Sequence, residues 1–164
     1  CHSIALGQMG KRATAMDISP LSVQVMRERG VNAVQADFWD PAFAGKYDTV
    51  LMLMNGSGII GKVDNMERFF NRIRELLNPG GYLLMDSSDL RYLYEEEDGS
   101  FAIDLAGDYY GQLDYQMQYK SVKGETFDWL YVDFQTLSYY AEQYGFNVEL
   151  VAEGEHYDYL AKIW

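Results

Sequence analysis

The chain has 164 residues, of which 48% are hydrophobic and 23% charged, the composition of a folded globular domain; this excludes a disordered or collagen-like chain. Acidic residues outnumber basic ones 25 to 13, giving a formal charge of -12, so a surface that grips nucleic acid or an anionic membrane is not expected. Cys1 is the only cysteine, which leaves no disulfide framework and no cysteine-based zinc site. No apolar run reaches the length of a membrane span and no leader pattern is read, so a cytoplasmic setting is expected.

Residues 2–9 read as a helix met without a preceding loop. Ala13 to Ile18 is a short strand containing Asp17 near its end. Ser19 and Pro20 open a helix as N-cap and first helical residue, with Leu21, Val25 and Met26 as its apolar side and Gly30 as its stop. Val31 to Ala36 forms the next strand, followed by Asp37. Tyr47 to Met54 is a third, and its unbroken apolar run from Val50 predicts a strand buried on both faces.

After the loop Asn55-Gly56-Ser57-Gly58, the residues Met66, Phe69, Phe70, Ile73, Leu76 and Leu77 fall on one helical stripe, with Asp64 and Glu67 as a reciprocal cap. Asn78-Pro79-Gly80-Gly81 turns the chain into a fourth strand, Tyr82 to Asp86. Glu95-Glu96-Glu97-Asp98 reads as a solvated loop. Gln112 to Asp133 is an aromatic hairpin with its turn at Val122-Lys123-Gly124-Glu125. A helix from Phe134 to Tyr144 buries Leu137, Tyr140, Ala141 and Tyr144, and two antiparallel strands, Asn147 to Ala152 and Tyr157 to Ile163, close the chain. The order predicts one domain over residues 1–164: an α/β fold with an open, mostly parallel sheet, helices on both faces and an antiparallel last strand.

In such a sheet, ligands bind beyond the carboxyl ends of the strands, which singles out Asp17, Asp37, Met54–Asn55 and Asp86–Ser88. A carboxylate at Asp17 can accept both hydroxyls of a ribose. One at Asp37 can accept the exocyclic amine of an adenine while Phe38 covers the ring, so the pair favours an adenosine-binding edge. Each also fits an ordinary turn. Asp86 and Asp89 can face a substrate or serve as turn residues.

Ala-Met-Asp-Ile-Ser-Pro (15–20), Gln-Ala-Asp-Phe (35–38), Tyr-Asp-Thr-Val-Leu (47–51) and Leu-Leu-Asn-Pro-Gly-Gly-Tyr-Leu-Leu (76–84), with the ending over 145–163, resemble successive motifs of class I S-adenosylmethionine-dependent methyltransferases, whose fold is Rossmann-like. The resemblance implies S-adenosylmethionine (SAM) as cofactor, with Asp17 on the ribose and the Ile18 backbone beside the adenine. Asp37 would take the adenine amine and the Phe38 backbone N–H a ring nitrogen, and Met54 and Asn55 would contact the methionine moiety. It also implies a first strand and a glycine-rich loop that residues 1–164 do not contain, so that this chain is a fragment with impaired SAM binding, open at a sheet edge where a homodimer could form.

The expected reaction is methyl transfer to a small-molecule acceptor, received by the aromatic insertion at 109–133, where Phe127, Trp129 and Tyr131 share one strand face. His156 and His2 are the candidate bases where the acceptor needs one; each also fits an ordinary surface or helix position. Two alternatives remain: a short-chain-type NAD(P)-dependent oxidoreductase, disfavoured because the Tyr-x-x-x-Lys pair it needs for proton transfer is expected to be missing, and a non-catalytic dimerising module.

Overall fold

The computed structural model describes residues 1–104 and 106–164. The chain divides into two units, Cys1–Gly45 and Lys46–Trp164.

In the first unit, helix α1 (His2–Gln8) precedes strand β1 (Ala15–Asp17), helix α2 (Pro20–Glu28) and strand β2 (Ala33–Gln35). The strands pair in parallel, with Asp17 opposite Gln35. Helix α2 starts as its sequence dictates: the Ser19 hydroxyl accepts the Ser22 N–H at 3.3 Å and Pro20 occupies the first turn, where its missing donor costs nothing. Its buried side differs from the predicted one. Val23 faces inward with Ala33 and Phe38, while Leu21 and Val25 are exposed.

The second unit is built on a four-stranded sheet in the order β3-β4-β8-β7. Strand β3 (Tyr47–Met52) pairs in parallel with β4 (Leu77–Ser88), and β8 (Asp158–Ile163) lies antiparallel between β4 and β7 (Val148–Glu153). Three strands thus run one way and the last runs against them, as predicted. Strand β3 is an edge strand here, not one covered on both faces, and Leu51 is 37% exposed.

Helix α3 (Met66–Leu76) buries its predicted stripe as far as Leu76, with Met66, Phe69, Phe70 and Ile73 fully inaccessible; Leu77, expected to end the stripe, is buried as the first residue of β4. The Asp64–Glu67 cap does not form: a 3₁₀ turn over Val63–Asn65 leads into the helix, and its N-cap Asn65 makes no side-chain capping bond. Helix α4 (Phe134–Gln143) is capped by Asp133, which accepts the Thr136 N–H at 2.9 Å. It buries Leu137 and Ala141, while Tyr140 and Tyr144 are only half-buried. The rings of Phe69 and Phe146 meet Phe70 at 5.3 Å, forming an aromatic cluster between α3 and the turn after α4.

The insertion forms a hairpin, β5 (Gln112–Tyr119) and β6 (Val122–Leu130). Its turn lies at Lys120-Ser121, ahead of the predicted Val122–Glu125, with Lys120 in the left-handed region. The later Gly124 sits beside a bulge that follows Gln116. No helix among the described residues is long and apolar enough to cross a membrane.

Because Phe70 is fully buried among aromatic neighbours, Phe70→Ala is expected to cost about 3–5 kcal/mol. Denaturant unfolding should show a lowered midpoint at constant slope.

Candidate cofactor site

The first unit places two of the predicted acids at one end of its parallel pair. Asp17 ends β1, and its Oδ1 accepts the Ser19 N–H at 2.8 Å. Asp37 follows β2 by two residues, and its Oδ1 accepts the Trp39 N–H at 2.8 Å. The Ala36 N–H donates to the Asp17 carbonyl at 3.2 Å and ties the two strand ends together. Each acid therefore serves the turn with one oxygen and keeps the other for a hydroxyl or amine.

Ile18 between them is exposed and offers an apolar surface to a flat ring. Phe38 does not: its ring is 4% exposed and packs edge-on against Trp39 at 4.9 Å, so it belongs to the core and cannot cover an adenine. The donor set still fits an adenosine group, with two carboxylates for its hydroxyl and amine donors beside an apolar residue.

The second unit places Met54 and Asn55 in a turn beyond β3, both left-handed at φ +68° and +58°. Asparagine tolerates that region, but methionine does not adopt it without cost. The turn is held by Asp86 near the end of β4, which accepts the Met54 N–H at 2.9 Å on one oxygen and the Gly56 N–H at 3.1 Å on the other. Ser88 fixes the Asn55 side chain, donating to its Oδ1 at 2.9 Å. Asp86 therefore positions the turn, a role the sequence could suggest only through its place at a strand end.

Below the turn, the buried hydroxyls of Ser57 and Ser87 lie 2.7 Å apart. Ser57 also donates to the Leu130 carbonyl at 2.9 Å, and Ser87 accepts the Val132 N–H at 2.9 Å. These bonds join the turn, β4 and the exit of the hairpin. Gly58 completes the junction, since a Cβ there would fall 1.8 Å from the Trp129 ring. Ser87 falls in the strand-end segment Asp86–Ser88 that the sequence singles out, without this role; Ser57 carries no motif that points to it.

Beside this junction lies a tyrosine–carboxylate cluster. The Tyr109 hydroxyl donates to Asp133 at 2.7 Å, and the Tyr110 hydroxyl reaches Asp89 at 2.8 Å and Asp133 at 3.3 Å. Burial pushes the Tyr109, Tyr110 and Tyr159 phenols well above their usual range, and burial with the Tyr115 hydroxyl bond pushes Tyr131 up to about 12. At neutral pH these groups donate hydrogen bonds and do not act as bases. Asp89 caps the 3₁₀ turn after β4 and pairs with Arg91 at 3.3 Å. His2 and His156 are both exposed. Among the described residues, no group of acids, histidines and cysteine is placed to hold a metal.

A Tyr-x-x-x-Lys spacing does occur, at Tyr119 and Lys123, but it spans the hairpin turn. Tyr119 pairs with Val122 and Lys123 with Gln118, which sets the two on opposite faces, unlike the helical pair that a short-chain dehydrogenase needs.

Burial pushes the Asp133 carboxyl up, but hydrogen bonds from Thr136, Tyr109 and the Thr136 and Gln135 N–H groups outweigh this and hold it below the usual carboxylate range. A carboxyl with a depressed folded-state pKa contributes stability above its unfolded value near 4, and that contribution is lost as pH falls through the folded value. Asp133→Asn should therefore lower stability at neutral pH and flatten the loss below about pH 4. Thermal unfolding across that range checks both effects.

A methyltransferase-domain family matches residues 2–85. The crystal structure of a SAM-dependent methyltransferase from Bacteroides fragilis, in complex with S-adenosyl-L-homocysteine, is 57% identical with a TM-score of 0.93, covering 100% of this chain and 67% of that one. A cypemycin N-terminal methyltransferase from a Streptomyces species is 31% identical over 91 residues, 53% of this chain and 37% of that protein, so the match spans well under half of that relative. The CcbJ methyltransferase from Streptomyces caelestis shares the fold at 13% identity and a TM-score of 0.67, over 98% of this chain and 77% of that one. The chain belongs to the class I SAM-dependent methyltransferases, the family its strand-end motifs resemble.

Proposed function

We propose that this protein transfers a methyl group from SAM to a small-molecule acceptor, and that Asp17, Ile18, Asp37, the Phe38 backbone, Met54 and Asn55 contact the cofactor. The observation that carries this reading is the strained Met54–Asn55 turn, held by both oxygens of Asp86 at a strand end. Left-handed non-glycine residues persist only where their surroundings hold them, and they cluster at functional sites.

The bound cofactor supplies an electrophilic methyl carbon on a sulfonium. This chain's part is to bind, align and exclude water, with Asp17 and Asp37 accepting hydrogen bonds from the adenosine group. The hairpin root, where Tyr115, Phe127, Trp129 and Tyr131 share one face, offers aromatic surface to an acceptor with an apolar part. The Tyr131 phenol is held protonated by burial and both histidines are exposed, so an acceptor that is already nucleophilic fits the site best. A net charge of -12 disfavours nucleic acid as acceptor, and a cytoplasmic setting fits one exposed cysteine.

Strand β3 is open on one side although Val50–Leu53 is an unbroken apolar run, which fits a further strand pairing there. We assign that strand and the loop for the methionine carboxylate to residues outside the 164, so SAM binding by this chain alone should be impaired.

Calorimetric titration of S-adenosylhomocysteine tests the proposal. The probe is titrated into this chain and into a chimera restoring the part of the Bacteroides fragilis relative that it does not cover. The chimera should bind tightly and the chain alone weakly. In the chimera, Asp17→Ala should lower affinity roughly 10- to 100-fold, the worth of charge-assisted hydrogen bonds. Affinity unchanged by Asp17→Ala, or NADH bound in its place, would overturn the assignment. Asp86→Ala should weaken binding by releasing the turn, whereas unaltered affinity would remove Asp86 from the account.

A further inference from the structure

At the other end of the second unit's sheet from the Met54–Asn55 turn lies a cavity of about 320 Å³ that the proposed reaction does not use. Its floor is apolar, formed by Leu77 and Pro79 at the start of β4, Phe146 after α4 and Trp164 after β8. Lys46, just before β3, and Arg74, in the last turn of α3, complete the wall. Strand β4 runs from Gly81 in this cavity to Asp86 at the turn, about 16 Å of extended chain, so the two sites are distinct.

The two cations have no acid partner. The chain carries 25 acids against 13 bases, yet among the described residues neither Lys46 nor Arg74 enters an ion pair, and no acid lines the cavity. Asp48 stands behind Asn78, whose side-chain amide donates to its Oδ1 at 2.8 Å. Lys46 uses one N–H on the Leu77 carbonyl at 3.2 Å, and Arg74 uses two, on the Tyr144 carbonyl and on Asn71 Oδ1 at 3.0 Å. An ammonium has three N–H donors and a guanidinium five, so most of these donors remain open to an anion.

The aromatic geometry narrows the class of ligand. The Arg74 guanidinium lies over the Phe146 ring at 4.7 Å, which leaves its edge free for a carboxylate in its own plane. Trp164 is 43% exposed, and reciprocal backbone bonds with Asn147, at 3.1 and 2.8 Å, fix its place. The Lys162 ammonium covers its ring at 4.9 Å, so a ligand meets the part of the indole that lines the cavity. That indole and the apolar floor offer a flat surface to a ring. The volume is that of a small-molecule site. Within a chain of net charge -12, two cations suit a single negative charge, since a phosphate dianion would meet more repulsion from the rest of the molecule.

We propose that this cavity is a second binding site, which takes a planar apolar molecule bearing one carboxylate: the carboxylate meets Lys46 and Arg74, and the ring lies against Phe146 and Trp164. Both cations are exposed to water, which weakens such a contact, so submillimolar dissociation is expected and not tight binding. The proposal is independent of the methyl-transfer reading, because none of the residues it uses belongs to the candidate cofactor site.

Titration of the chain with naphthalene-2-carboxylate, followed through its amide and indole NMR signals, tests the proposal, with naphthalene-2-carboxamide and inorganic phosphate as controls. The carboxylate should saturate and should shift the Gly80 and Gly81 amides and the Trp164 indole. The uncharged carboxamide should bind roughly 10-fold more weakly, the worth of a charge-assisted hydrogen bond. Lys46→Gln should weaken the carboxylate by a similar factor at an unchanged melting temperature. It is preferred to a change at Arg74, whose bond to the Tyr144 carbonyl ties down the end of α4. The comparison of carboxylate with carboxamide needs no variant, so it decides the matter even where a substitution disturbs the fold. No saturable binding, a carboxamide that binds equally well, shifts centred elsewhere on the chain, or a folded Lys46→Gln that binds as before would each overturn the proposal. Phosphate that binds as tightly as the naphthalene carboxylate would overturn it in favour of a site for charge alone.

Discussion

The second unit depends on a small set of polar bonds at the end of β4, buried at Ser87 and partly exposed at Asp86 and Ser88. Asp86, Ser87 and Ser88 are consecutive, and each holds something different: Asp86 the backbone of the Met54–Gly56 turn, Ser87 the hairpin exit, Ser88 the Asn55 side chain. Neighbouring strand residues point to opposite faces, so one short segment can serve several structures at once. The Ser57–Ser87 contact lies where water is excluded. An unpaired hydroxyl there would cost its full desolvation penalty of about 1–3 kcal/mol, so the arrangement tolerates few alternatives.

This organisation explains why the turn can stay strained. A left-handed methionine is unfavourable on its own, but two charge-assisted bonds from one carboxylate offset that cost. The same region meets Trp129 through the one residue type, glycine, that permits its ring to approach Gly58. The Met54–Gly56 turn and the hairpin root are thus mechanically joined within one unit, and a change at either should be felt at the other.

Much of the fold was legible in the sequence. The stripe of Met66, Phe69, Phe70, Ile73 and Leu76 and the closing antiparallel pair rest on strong periodicity and short connections, and both appear as read, although Leu77 opens β4 and does not extend the helix. The failures share a physical cause: local pattern does not reveal neighbours. Val50 to Leu53 looks doubly buried, but β3 is at the edge of its sheet. Leu21 and Val25 look like a core stripe, but Val23 is the residue that α2 buries. The turn placed at Gly124 follows the rule that glycine marks reversals, whereas the chain turns at Lys120 and uses Gly124 beside a bulge.

The candidate site rests on fewer signals than the fold. Asp17 and Asp37 were visible because acids after parallel strands have a chemical use, and the structure sets them at one end of a paired sheet. Phe38 was assigned a ring-covering role that its burial forbids. The joining role of Ser57 and Ser87 and the anchoring role of Asp86 were hidden, although Asp86–Ser88 stands out as a strand end, because a serine that joins two segments 30 residues apart has no local signature.

The most direct test of the account is amide hydrogen exchange at Met54, Asn55 and Gly56, with and without S-adenosylhomocysteine, in the chimera that restores the uncovered part of the Bacteroides fragilis relative. The account predicts slow exchange at Met54 and Gly56 before ligand is added, further slowing on binding, and loss of both in Asp86→Ala. Fast exchange in the free protein, or ligand binding that leaves these amides unchanged, would contradict it.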